Sequence, residues 1–118
     1  MIRMTDPTKS DDLPEPLVPK EVDLRDFSKM PVKVNFLLNS DTWLLTSGDE
    51  AEAAITLWCR AWHQVPAGSL PRDERLLARV SSNEPNWRCI RDGAMRGFVP
   101  CSDGRYYHKA MVEIVMES

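Results

Sequence analysis

The chain has 118 residues, a length that accommodates one domain, and carries 15 Lys and Arg against 18 Asp and Glu for a net charge of -3. That balance argues against indiscriminate nucleic-acid binding by the whole molecule, and the longest apolar runs fall far short of a membrane span. Three cysteines make an odd set for a disulfide framework, and residues 1–20 lack the apolar stretch of a secretory signal, so a cytoplasmic protein with free thiols and no membrane partner is expected.

Residues 1–20 are polar and charged and include Pro7, Pro14, Pro16 and Pro19. Such a segment buries too little apolar surface to offset its ordering entropy, which predicts a disordered N-terminal arm and a folded domain over residues 21–118. Val22-Asp23-Leu24-Arg25-Asp26-Phe27 alternates apolar and charged side chains, the period of a short half-buried strand. Met30-Pro31-Val32 interrupts it, because the residue before proline is pushed out of the helical region. Residues 34–38 read as a brief helix ending near Asn39-Ser40-Asp41.

Ser47-Gly48-Asp49-Glu50 matches a capping box, and a helix is predicted over residues 48–64. Its apolar stripe runs through Ala51, Ala54, Ile55, Trp58, Ala61, Trp62 and Val65 before Pro66 and Gly68 stop it. A second helix is predicted over residues 71–82, started near Asp73, with Leu76, Leu77 and Val80 facing inward. A third opens at Pro85 and turns Trp87, Ile90, Ala94 and Met95 inward, with Gly97 as its C′ residue. The gap between these two helices is as short as a helix-turn-helix requires. Ser102-Asp103-Gly104 supplies a hairpin turn between Phe98-Val99 and Tyr106-Tyr107. A final helix over residues 109–117 uses Met111, Ile114 and Val115. The order predicts an α+β, winged helix-turn-helix-like fold: three main helices, a β-hairpin wing and a C-terminal helix.

The chemistry-bearing residues are mostly arginines. At 100° per residue, Arg88, Arg91 and Arg96 fall within an arc of roughly 140°, largely opposite the apolar stripe of the third helix. A recognition helix needs that division: one face docked on the other helices, the other free for phosphates or base edges. Arg105 at the wing tip and Lys109 after it would grip adjacent phosphates. Residues 85–112 hold five such cations against Asp92 and Asp103, a local charge of +3. Arginines on an exposed face also serve solubility alone, so each is weighed against that simpler role.

Cys59 and His63 lie four apart, and Cys89, Cys101 and His108 would complete a metal set, but the spacing matches no compact zinc pattern. Small thiols and a hydrogen-bonded histidine account for these residues more simply. No nucleophile-base pair or paired carboxylates stand out, so a non-enzymatic chain with no catalytic residue, no metal and no cofactor is expected. Trp58, Trp62 and Trp87 read as core; Trp43 has no periodic partner and suits a partner interface.

The stretch Trp58-Cys59-Arg60-Ala61-Trp62-His63-Gln64-Val65-Pro66-Ala67-Gly68-Ser69-Leu70-Pro71-Arg72-Asp73-Glu74-Arg75-Leu76-Leu77-Ala78 resembles the YdaU-like phage and prophage domain family, long catalogued as a domain of unknown function. Gly97-Phe98-Val99-Pro100-Cys101-Ser102-Asp103-Gly104-Arg105-Tyr106-Tyr107-His108 resembles it too, as do Leu24-Arg25-Asp26-Phe27 and Met30-Pro31. The likeness runs from about residue 23 to residue 108. It implies a winged-helix-like fold and a phage-derived origin near replication genes; no established site residues come with it. Relatives often continue past the equivalent of Ser118, where further function would reside. The expected partner is double-stranded DNA, in replication initiation or transcriptional control. The alternative is a protein-interaction or dimerisation module, with the final helix as its docking element and no DNA contact.

Overall fold

The structure, a computed structural model, describes residues 13–31, 34–39, 44, 45 and 47–117. Its elements run α1 (Val34–Asn39), α2 (Gly48–Trp62), β1 (Ser69–Pro71), α3 (Glu74–Val80), a 3-10 turn (Glu84–Asn86), α4 (Trp87–Ala94), β2 (Phe98–Pro100), β3 (Arg105–His108) and α5 (Lys109–Met116). This is a small α+β architecture in which helices pack on one three-stranded antiparallel sheet of order β1-β3-β2.

The capping box at Ser47 starts α2. Ser47 Oγ accepts from the Glu50 amide at 3.3 Å, and Glu50 Oε1 accepts from the Ser47 amide at 2.9 Å. Those bonds hold the Glu50 carboxyl below its ordinary range, and two acids in the first turn suit the positive end of the helix. The buried face comprises Ala53, Ala54, Leu57, Trp58, Ala61 and Trp62. It is rotated from the expected stripe, taking in Ala53 and Leu57 and leaving Ala51 and Ile55 half-buried, and it meets α3, α4 and β1. Val65 lies outside it and is 38% exposed. The helix stops at Trp62, short of the expected residue 64, because the chain doubles back and Gly68 N donates to Ala61 O at 2.8 Å.

β1 was not expected. Ser69, Leu70 and Pro71 pair with Tyr107, Tyr106 and Arg105 of β3, on the side away from β2. Three residues ending in proline have no periodicity to read, and they are extended because β3 offers an open ladder. Pro71 sits on the edge, where its missing donor costs nothing. Since Pro71 belongs to the strand, α3 begins later than residue 71, with Asp73 accepting from the Arg75 and Leu76 amides. Leu77 is fully buried, but Leu76, expected inward, is 43% exposed. Neighbours on a helix diverge by 100°, and only the Leu77 side meets the core.

After a connection over residues 81–83, in which Ser82 takes φ 68°, the 3-10 turn leads into α4. Trp87, Ile90, Ala94 and Met95 are buried as expected. Helices α2 and α4 cross closely at Gly93, where a Cβ would stand 2.0 Å from the Glu50 carboxylate. In the β2–β3 turn Gly104 adopts φ +78°, while Asp103 keeps a negative φ and accepts from Arg105 N and the Tyr107 hydroxyl.

Two expectations near the N-terminus need correction. Residues 22–27 form no strand: Val22 N donates to Pro19 O and Phe27 N to Leu24 O, closing tight turns. Asp23 accepts from the Arg25 amide and guanidinium, and Val22 O accepts from Ala67 N, so turn bonds and a single loop contact stand where a ladder was expected. Nor do residues 13–20 belong to a disordered arm. Val18 is 1% exposed within the core, and Pro14 O accepts from Ser102 N at 2.8 Å. Prolines reduce the entropy lost on ordering, which lets one well-buried valine tie the segment down. Trp43 and residues 1–12 lie outside the described residues.

Candidate functional site

The five cations singled out in the sequence separate into two kinds. Arg91 is turned inward. Its Nε and Nη2 donate to Glu74 Oε1 and Oε2 at 2.8 and 3.0 Å, and Nη1 reaches Asp92 at 2.9 Å. Trp87 Nε1 donates to the same Glu74 Oε1 at 3.0 Å. Burial works against the Glu74 charge, but the bonds from Arg91 and Trp87 outweigh it and hold the carboxyl below its ordinary value. The reciprocal bond from Glu74 raises the Arg91 pKa. Arg91 therefore braces α3 against α4 and is not a free contact.

Arg105 stands beside the hairpin turn as the first residue of β3, but its side chain is also held internally. It reaches across β1, with Nε donating to Ser69 Oγ at 2.7 Å and Nη2 to Gln64 Oε1 at 2.8 Å. Ser69 is fully buried and its hydroxyl donates to Pro66 O at 2.6 Å, so Arg105 closes a small polar network at the sheet edge.

Arg88, Arg96 and Lys109 are exposed. Lys109 N donates to Gly97 O at 3.1 Å, which brings Arg96 and Lys109 to the same end of the hairpin, opposite its turn. Arg88 sits in the first turn of α4, about a helix length, roughly 12 Å, from Arg96.

Sequence reasoning missed a second group. Between α3, the 3-10 turn and α4 lies an open groove of about 760 Å³, with Arg75, Arg79, Arg88, Arg91, Glu74 and Glu84 as its charged lining. Arg75 and Arg79 are one turn apart on α3; that i, i+4 spacing was the available signal. Arg79 stands 3.6 Å from Glu84, both well exposed.

His108, weighed as a metal ligand, caps α5 instead: Nδ1 accepts from Met111 N at 3.2 Å. Trp58 and Phe98 meet its ring edge-on at 5.0 and 4.9 Å. Burial lowers its pKa to about 4. His63 bonds to Phe27 O at 2.8 Å; Cys59 and Cys89 are exposed and Cys101 is buried. Among the described residues no three such side chains stand where they could hold a metal ion. Trp58, Trp62 and Trp87 lie in the core. So do Met111 and Val115, which makes α5 part of the domain's own packing where a docking element was considered. No helix among the described residues is long and apolar enough to cross a membrane.

Fold and surface together define a small α+β domain presenting arginines from two successive helices. The chain belongs to the family described as "Protein of unknown function (DUF1376)", whose family model matches residues 36–115, a span that includes the sheet, the groove and both basic helices. No curated protein and no solved structure matches it.

Proposed function

We propose that this chain is a winged-helix domain that holds double-stranded DNA through α4, in the phage-derived replication or transcription setting implied by its resemblance to YdaU-like domains. One observation carries the reading. Helices α3 and α4 are joined by six residues, 81–86, of which the last three form the 3-10 turn; α4 buries Trp87, Ile90 and Ala94 and leaves Arg88 in solvent, and a β-hairpin follows. The contact set narrows to Arg88 on α4 and to Arg96 with Lys109 at the base of the hairpin. Arg91 sets the angle of α4, and Arg105 stiffens the hairpin.

Fluorescence anisotropy with a labelled duplex at low salt tests it. Binding should weaken steeply as salt rises, and replacing Arg88, Arg96 and Lys109 together by alanine should lower affinity roughly tenfold or more. No binding at low salt, or affinity untouched by the triple substitution, would refute it. A protein-interaction or dimerisation module is the second reading, favoured by Val34, Leu44 and Leu45 at 69%, 62% and 66% exposure in a chain of net charge -3. Light scattering that shows a concentration-dependent dimer, lost on changing Leu44 and Leu45 to Asp, would favour it over DNA.

A further inference from the structure

We infer that the groove between α3 and α4 is a phosphate clamp in which Arg75 and Arg79 join Arg88 in gripping a nucleic-acid backbone; this rests on the DNA-binding reading and extends it from α4 to α3. The groove's lining carries four arginines and two glutamates, a local charge of +2 in a molecule whose total is -3. Its carboxylates already have partners. Glu74 is occupied by Arg91 and Trp87, and Glu84 stands by Arg79. Asp73, beside the groove, accepts from the amides of Arg75 and Leu76 at 3.0 and 3.2 Å.

What remains is cationic and accessible. Among the described residues Arg75 and Arg88 have no carboxylate within ion-pair distance, and the Arg79 side chain is 79% exposed. Asp73 starts α3 so that Arg75 and Arg79 share one face, about 6 Å apart along its axis. Pro85 in the 3-10 turn leads the chain into α4 so that Arg88 falls in its first turn, across the groove from α3. Ala78 and Pro85 add apolar surface to the lining, suited to sugar edges between phosphates. Guanidinium groups hold phosphate oxygens in pairs, and three on two rigid helices lose little freedom in doing so. Arg88 belongs both to the groove and to the exposed face of α4, so one strand could run continuously from one to the other.

The test compares the full chain with its Arg75→Ala/Arg79→Ala and Arg75→Lys/Arg79→Lys forms, each checked for folding by circular dichroism, on two duplexes of unrelated sequence. The alanine form should bind both duplexes roughly tenfold or more weakly, and its slope of log affinity against log salt should fall by about 1.8, two phosphate contacts' worth. The lysine form, which keeps both charges, should retain the slope. Wild-type binding with an unchanged slope in the alanine form would overturn the clamp and leave the α4 reading standing; no wild-type binding would overturn both. A labelled polyglutamate peptide that loses binding in the alanine form, while the duplex does not, would assign the groove to an acidic protein partner and overturn the clamp as well.

Discussion

His108 shows how one side chain joins elements distant in sequence. It ends β3, caps α5 through Nδ1 and stacks its ring edges against Trp58 and Phe98, all as a neutral imidazole. Burial depresses its pKa from 6.5 to about 4. The sign follows from linkage: the unfolded chain takes up this proton near pH 6.5, the folded one only near pH 4, so stability falls as pH drops through that window and levels off below it. The loss attributable to His108 is about 3 kcal/mol. Urea midpoints measured from pH 7.5 to 4 should decline in the wild type and stay flatter in a His108→Phe variant. Gly97 is tied to the same ring. It adopts φ +92°, and a Cβ there would stand 2.6 Å from His108 Nε2. Gly97→Ala should therefore cost at least about 1 kcal/mol, visible as a lower melting temperature.

The elements owe their stability to different sources. Helix α2 starts from a local device, and Ser47→Ala should cost about 1 kcal/mol in chemical denaturation by removing one half of the capping box. Helix α3 is too short to stand on propensity and depends on docking one face. Leu77 is fully buried while its neighbour Leu76 is 43% exposed. Leu77→Ala should cost about 2–5 kcal/mol and Leu76→Ala less than about 0.5 kcal/mol. Equal effects would mean that α3 is rotated from the orientation described, and the Arg75–Arg79 face with it. The Arg91–Glu74 brace matters in the same way, because it links the two helices that flank the groove.

Across the whole molecule, charge and packing are distributed unevenly. The total charge is -3, yet the groove lining sums to +2: Glu74 and Glu84 offset Arg91 and Arg79, and Arg75 and Arg88 are left over. The domain also extends further toward the N-terminus than composition suggests. Val18, 1% exposed, belongs to the same buried cluster as Leu24 and the inner face of α2. Val18→Ala should lower stability by about 2 kcal/mol, measured by thermal or urea unfolding; a neutral result would return residues 13–20 to the expected arm.

What the amino-acid order settled unaided was whatever a few neighbouring residues encode: the cap at Ser47, the buried stripe of α4, the Asp103-Gly104 turn and the terminal helix. These depend on spacing and local hydrogen bonds, which act over three or four positions. The tertiary structure decided the rest. It made Ser69–Pro71 a strand because β3 lay beside it, whereas residues 22–27 pair with no strand among the described residues and close into local turns. It also chose which arginines stay in solvent. Arg91 meets a carboxylate 17 residues away and Arg105 a hydroxyl 36 residues away, and no periodicity reports where a distant partner will lie.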